Sequence, residues 1–199
     1  MRWESLFDDL ETQLERELTA EELDLEAEEE RLRLGRLSVR DRLIALHESL
    51  GGADYRLTLT LGLGERLVVH PVAFGRDWFS ADVVSEGTAQ RQCVVPLGAV
   101  TGVALDPDLV TASLAPTSAP DGHPSLSARL GLTFVLRDLC RRRRAVDLVL
   151  TGAQLHGTID RVGRDHLDLA VHERGAPRRA TAVEEVRLVP LQVLQLVRL

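Results

Sequence analysis

The sequence predicts an α+β protein that is mostly β, in which an acidic amphipathic helical segment precedes two small barrels, each built from one helix and five strands. Three observations lead to this prediction: helical apolar spacing at the start of the chain, a duplicated segment in the remainder, and period-two alternation within each copy. We expect a helical leader at 1–35, a first barrel at 36–105, a Pro-rich linker at 106–124 and a second barrel at 125–199.

The leader has the pattern of an amphipathic helix. Two boxes of the N-capping type, Ser5 with Asp8 and Thr19 with Glu22, favour two helices with a break near Thr19 over one long helix. The residues of its apolar stripe are Trp3, Phe7, Leu10 and Leu14, continued at intervals of seven by Leu18, Leu25 and Leu32. Such a stripe serves either for binding a partner or a second copy, or for packing on the protein's own body.

The rest of the chain contains an internal repeat. Residues 61–84 align without gaps on residues 149–172, so that Gly64 matches Gly152 and Gly75 matches Gly163. Val94 to Leu97 then match Leu188 to Leu191 after a longer loop in the second copy. We expect Gly75 and Gly163 to supply positive φ at a turn or bulge between the second and third strands.

Each copy opens with a predicted helix. Ser38 is the expected N-cap of the first, and Ser125 begins a second that runs through Leu126 to Cys140. The strands follow from alternation, as in residues 57–61, where Leu and Thr take turns. Five short strands of this kind would close into a strongly bent barrel with the helix on one open end.

A family resemblance rests on these residues. The strand-turn-strand segment resembles the signature of bacterial Sm-like domains, a family whose layout is a helix followed by five strands. The residues that carry the resemblance are Gly157, Ile159, Val162, Gly163, Asp165, Leu167 and Leu169. The whole chain also resembles uncharacterised actinobacterial proteins that open with a similar Arg-Trp and acidic segment, and that similarity implies no activity.

Only part of the RNA-binding pattern that the resemblance implies is present in this sequence. Sm-like RNA sites use an aspartate and an asparagine near the second turn, whereas this chain has Gly163 at the first position and contains no Asn. His166 could stack on a base, and Trp78 is its equivalent in the first copy. We therefore do not extend the family's ring formation or uridine binding to this chain.

Charge is divided unevenly along the chain. Residues 1–34 hold 13 acidic residues and 4 Arg, whereas residues 125–199 hold 8 acidic residues and 13 Arg. This asymmetry indicates either an electrostatic contact, with a charged partner or within the protein, or two charged surfaces that are solvated separately. Every basic residue is Arg, as expected of a GC-rich genome, so arginine abundance alone does not indicate nucleic-acid binding.

Arginines of the second copy form a candidate nucleic-acid or anion patch. Its members are Arg141, Arg142, Arg143, Arg144, Arg161, Arg164, His166, Arg178 and Arg179. The alternative for the run at 141–144 is that cations complement the negative end of the preceding helix.

Other candidate sites are weaker. A zinc site could draw on His156, Asp160, His166, Asp168 and His172, although exposed barrel positions would leave these residues solvated. Candidate partner-binding residues are Trp3, Phe7, Leu10, Leu14 and Trp78, the last of which we expect to be exposed. No catalytic motif is present, so we expect no catalytic residue, cofactor or metal, and no enzyme.

Composition limits the remaining classes. With 44% hydrophobic and 28% charged residues, the chain can fill a core. It has no apolar run of about 18 residues and no signal-peptide pattern, so we expect a cytoplasmic protein without membrane contact. Cys93 and Cys140 cannot form a disulfide framework. The sequence thus predicts a non-enzymatic adaptor that associates through its leader, with an RNA-binding regulator shielded by that leader as the alternative.

Overall fold

A computed structural model describes residues 3–51, 55–84, 91–117, 126–175 and 183–199. The chain divides into two compact units, Met1–Arg42 and Leu43–Leu199, which are described separately below. Strands account for slightly more of the chain than helices, which confirms an α+β protein with an N-terminal helical segment. No helix among the described residues is long and apolar enough to cross a membrane.

The first unit is dominated by one helix. Helix α1 spans Trp3–Arg36 and is continuous over 34 residues, so the break predicted near Thr19 is wrong. Glu, Leu, Arg and Ala are strong helix formers, and their propensity over this stretch outweighs one internal capping box. Helix α2, Val39–Ser49, begins in this unit at a true capping box: Ser38 Oγ accepts from Asp41 N–H at 3.1 Å, as predicted for Ser38.

The second unit is organised around one open, ten-stranded antiparallel sheet. Its strand order is β5-β1-β2-β3-β4-β10-β6-β7-β8-β9. The strands are β1 Leu57–Leu61, β2 Arg66–Phe74, β3 Trp78–Val83, β4 Arg91–Pro96, β5 Val100–Ala104, β6 Ala145–Leu150, β7 Ala153–Val162, β8 His166–Val171, β9 Glu185–Pro190 and β10 Leu194–Arg198.

The sheet consists of two five-stranded repeats with the same internal order. The first repeat reads β5-β1-β2-β3-β4 and the second reads β10-β6-β7-β8-β9. Even the irregularities coincide: β2–β3 shifts register between Pro71 and Ala73, and β7–β8 shifts at the matching place between Ile159 and Arg161. The duplicated sequence therefore encodes a duplicated strand arrangement.

Equivalent hairpins join the first two strands of each repeat. Gly64 has φ +80 and Gly152 has φ +87, a conformation that glycine adopts without strain. Counted between the paired residues Leu61 and Glu65 in the first repeat, and Leu150 and Ala153 in the second, the first loop is one residue longer. A 3-10 turn at Gly62–Gly64 there replaces the turn at Thr151 and Gly152. The gap-free alignment is therefore correct from the glycine onward but shifted by one residue in the strand before it.

The helices of the second repeat differ from the prediction. Helix α4 covers Leu126–Arg129 and helix α5 covers Leu132–Arg141, so two helices separated at Gly131 replace the single one expected from Ser125, a residue outside the described ranges. The predicted linker begins with a 3-10 turn, Pro107–Leu109, and helix α3, Val110–Leu114. Residues 118–124 of that linker also lie outside the described residues.

Two apolar clusters form the core of the sheet unit. In the first cluster, Leu46 of α2 packs with Leu59 and Phe79. In the second, Leu136 of α5 packs with Ile159. Burial of such side chains stabilises the fold by about 1.5–3 kcal/mol each.

The clusters also cross the boundary between the repeats. Val149 and Leu196 of the second repeat belong to the first cluster, while Trp78 and Val94 of the first repeat belong to the second cluster. The repeats therefore cover part of each other's sheet surface.

Candidate functional site

A cleft in the sheet unit lies where the corresponding turns of the two repeats meet. Its volume is about 770 Å³. One wall is the turn between β2 and β3 with the start of α5, and the other is the turn between β7 and β8 with β9. Its ionisable residues are Arg76, Asp77, Arg164, Asp165 and His166.

Each turn seats a ring against a glycine. Gly75 N–H donates to the Trp78 carbonyl at 2.8 Å, and Gly163 N–H donates to the His166 carbonyl at 2.9 Å. A Cβ at either glycine would overlap the ring of the aromatic residue that follows. Neither glycine has positive φ, so the prediction of a left-handed turn is wrong and close packing against the ring is the reason for glycine.

The two rings have different surroundings. Trp78 is buried, and its indole Nε1–H donates to the Leu130 carbonyl at 2.9 Å. The prediction that Trp78 is exposed for partner binding is therefore wrong, because the second repeat covers it. His166 remains partly exposed, and its Nδ1 lies 2.8 Å from Asp165 Oδ1. This hydrogen bond holds the pKa of the Asp165 carboxyl below its usual range.

The aspartates of the two turns have different hydrogen-bond partners. Asp77 Oδ1 accepts from Leu132 N–H at 2.7 Å, and Arg76 N–H donates to the Leu130 carbonyl at 2.9 Å. The first turn thus binds the N-terminus of α5, whose first four N–H groups have no partner inside the helix. Asp165 makes no such contact among the described residues, and its side chain is 84% exposed.

Three of the four arginines at 141–144 are paired with carboxylates. Arg141 and Arg142 both bind Asp138, and Arg143 binds Asp160 at 3.1 Å. The run therefore reinforces the end of α5 rather than presenting four free cations.

The other members of the patch are dispersed. Arg161 lies 3.6 Å from Asp168. Arg164 and His166 line the cleft, together with Arg76, which was not among the predicted patch residues. Arg178 and Arg179 lie outside the described residues. The structure thus brings two predicted patch residues into the cleft, and only the repeat alignment could have indicated Arg76.

The residues considered for a zinc site have other partners. His156 Nδ1 lies 2.7 Å from Asp147 Oδ1, and the His156 ring meets the His172 ring edge-on at 5.2 Å between centroids. Thr158 Oγ1 lies 2.9 Å from His172 Nε2, so this histidine already has a partner. Within the described ranges, no three His, Cys, Asp or Glu side chains could hold an ion together.

Asp147 completes this small polar cluster and was not predicted from the sequence. Burial raises the pKa of its carboxyl, but hydrogen bonds from His156 and Arg174 outweigh burial and leave the pKa below its usual range. Asp147 stands opposite His156 on the neighbouring strand, and the alternation of β6 could have placed it there.

Helix α1 presents an exposed leucine face. Steps of four and seven residues keep Leu14, Leu18, Leu25 and Leu32 within about 40° around the helix axis. These four side chains are between 51% and 62% exposed. The side chains of Trp3, Phe7 and Leu10, predicted to share this face, lie outside the described part of the chain.

Carboxylates border the leucine face. Among them are Glu22, Glu28 and Glu29, of which Glu28 pairs with Arg31. Glu30 lies on the other side of the helix and pairs with Arg33 at 2.6 Å. The hydrogen bond from Arg33 lowers the pKa of the Glu30 carboxyl, so this side chain stays charged at neutral pH. The face is therefore apolar at its centre and anionic at its rim.

Compared with known proteins, this sequence matches no family model, no curated protein and no solved structure.

Proposed function

We propose that this protein is a non-enzymatic adaptor in which tandem Sm-like barrels form a body and helix α1 binds a protein partner. Support for the Sm-like assignment comes from the strand order, in which the fifth strand of each repeat lies beside the first and strands one to four follow in sequence. A strongly bent sheet of this order would close each repeat into a small barrel. The proposed location is the cytoplasm.

The exposed leucine face of α1 is the observation that carries the adaptor proposal. An amphipathic helix binds partners by placing residues at i, i+4 and i+7 into an apolar groove. The acidic rim favours a partner with a basic rim, because opposite charges accelerate association and select orientation. Pairing of two α1 helices would instead bring carboxylates of the same sign together, which disfavours self-association through this face.

A matched pair of variants tests the adaptor proposal. Leu18→Ser with Leu25→Ser removes the centre of the leucine face, whereas Leu23→Ser removes a leucine that is 60% exposed on the opposite side of the helix. Proteins retained from a cell extract by the wild type and by Leu23→Ser should be lost from the double variant. Equal retention by all three proteins would contradict a role for this face.

The cleft between the repeats favours a second function, the binding of single-stranded RNA. Arg76, Arg164 and His166 surround a cavity of about 770 Å³ at two equivalent turns, which suits a phosphate backbone with one base stacked on the histidine. On this proposal, the acidic residues of α1 act as an electrostatic shield.

Fluorescence anisotropy with a labelled single-stranded RNA tests the RNA proposal. Arg164→Ala should weaken binding, and the slope of log K against log salt should become shallower by about 0.7 for each phosphate that the protein no longer neutralises. Arg161→Ala is the control, because Arg161 is exposed but does not line the cleft. Absence of binding at low salt, or equal effects of both variants, would refute this function.

A further inference from the structure

The leucine face of α1 repeats with a period of seven residues that includes glutamates. Each period consists of one leucine, followed three and four residues later by two glutamates. The residues are Leu18, Glu21 and Glu22 in the first period, Leu25, Glu28 and Glu29 in the second, with Leu32 opening the third. All of these residues are exposed. The face therefore presents apolar and anionic groups in a regular order.

The glutamates lie close to the leucines around the helix axis. Because successive residues of an α-helix are about 100° apart, Glu21 and Glu28 lie about 35–55° from the centre of the leucine face on one side. Glu22 and Glu29 lie about 45–65° from the centre on the other side. A helix that covers the leucines therefore also covers carboxylates.

The arginines of α1 compensate little of this charge. Between residues 14 and 32 the basic residues are Arg16 and Arg31, both more than about 110° from the centre of the leucine face. Arg31 lies 3.4 Å from Glu28, but both side chains are exposed, and an exposed pair of this type contributes little. The other three glutamates form no ion pair with the described residues. Their charge is available to a partner.

In the heptad repeat of a coiled coil, this pattern puts leucines at position a and glutamates at position d. Leu18, Leu25 and Leu32 are spaced as a positions, and Glu21 and Glu28 follow at d. A second α1 in parallel register would place each d glutamate against its own copy, and in antiparallel packing it would place the glutamates against leucines. Either arrangement takes carboxylates out of water without a cation. A second copy of this chain is therefore disfavoured on this face.

The charge of the face also disfavours other partners of amphipathic helices. Nucleic acids and the anionic surface of a membrane are repelled by four glutamates. The complementary side chains are Arg and Lys, which can pack their methylene groups on leucine while the charged end contacts a carboxylate. The distance along the axis from Leu14 to Leu32 is about 27 Å, which a helix of about 20 residues covers.

We propose that the partner of α1 is a basic amphipathic helix of another protein, which packs parallel to α1 along the leucine face as a two-stranded coiled coil; this rests on the adaptor function proposed above. Apolar residues of the partner recur every seven residues and contact the leucines. An Arg or Lys three residues after each of them faces Glu21 or Glu28. The glutamates at d select this partner, since a like-charged helix or a wrong register leaves them without a cation.

Two synthetic peptides test the charge preference of the face, with the full chain as the receptor. The acidic peptide is the unchanged segment 14–34, and the basic peptide is the same segment with Glu21→Arg, Glu22→Arg, Glu28→Arg and Glu29→Arg. In fluorescence anisotropy, the acidic peptide should bind at least about tenfold more weakly than the basic peptide. Equal affinities, or binding of neither peptide, would contradict the proposed partner.

Reversing the charge of the protein should reverse this preference. Glu21→Arg with Glu28→Arg places cations at both d positions, so this variant should bind the acidic peptide better than the basic one. Asp24→Arg with Glu26→Arg is the control, because it changes the net charge equally at exposed positions about 95–105° from the centre of the leucine face. The control should keep the wild-type preference. The same change of preference in both variants would overturn a role for the d positions.

Photo-cross-linking in the cells that produce this protein identifies the natural partner. Benzoylphenylalanine in place of Leu25 lies on the leucine face, and in place of Leu23 it lies on the opposite side as the control. The segment cross-linked only from position 25 should contain apolar residues seven apart, each followed after three residues by Arg or Lys. A segment of another protein without this pattern would overturn the basic helix and leave the adaptor function standing. A cross-link to this chain or to nucleic acid, or none specific to position 25, would refute both.

Discussion

Through the contact between Asp77 and the N-terminus of α5, the first repeat stabilises a helix of the second repeat. Asp77→Ala removes an acceptor 2.7 Å from Leu132 N–H and leaves that donor near a helix end that favours negative charge. Loss of a capping side chain costs about 0.5–2 kcal/mol, to which the interaction with the helix dipole contributes. The ion pair of Asp77 with Arg76, at 3.6 Å and exposed, adds little. We therefore expect the free energy of unfolding to fall by about 1–2 kcal/mol.

Urea denaturation followed by circular dichroism measures this change. With an m value of about 2 kcal/mol/M, the midpoint should fall by about 0.5–1 M. Asp165→Ala is the matched control, since Asp165 occupies the same place in the second repeat but its side chain binds only the neighbouring His166 among the described residues. Equal destabilisation by both variants would refute the capping argument.

Three further predictions concern stability and reactivity. The pKa of Asp147 is lowered in the folded state, so its contribution to stability is present above about pH 4 and is lost as pH falls through the folded pKa. Asp147→Asn should therefore flatten the acid denaturation curve below about pH 5. Gly157→Ala should lower the free energy of unfolding by about 1–3 kcal/mol, because the added Cβ would overlap the Ala170 backbone. Gly98→Ala is the control, since a Cβ there meets nothing within 4 Å. Equal thermal midpoints for the two variants would contradict this argument. Burial raises the pKa of the Cys93 thiol to about 12, so Cys93 should react with thiol reagents only on unfolding, and rapid modification of the native protein would be inconsistent with its position.

The repeat and its strands could be predicted from the sequence because local signals encode them. Alternation of Leu and Thr identifies β1, and the matched pair Gly64 and Gly152 locates equivalent hairpins. The helix start at Ser38 was likewise predictable, since the capping box acts within four residues. These features depend on neighbours close in sequence, which periodicity and turn residues report directly.

The candidate site was less predictable because its properties depend on distant partners. The position of Trp78 is compatible with an exposed ring until the second repeat covers it. The arginines of the predicted patch look alike in sequence, but Asp138 and Asp160 pair with Arg141, Arg142 and Arg143. Pairing between β4 and β10 involves backbone edges, which side-chain patterns do not specify.

The two repeats differ at one surface, which is the surface that each repeat turns toward its neighbour. The glycines, bulges and strand order that shape the backbone are shared, whereas Trp78 differs from His166, and Val94 from Leu188, at the surface that each repeat turns toward its neighbour. In the first repeat this surface is apolar and covered by the second repeat. In the second repeat the same surface carries a partly exposed histidine and an exposed leucine. The first copy thus packs against its neighbour through this surface, and the equivalent surface of the second copy borders the cleft that we propose as the ligand site.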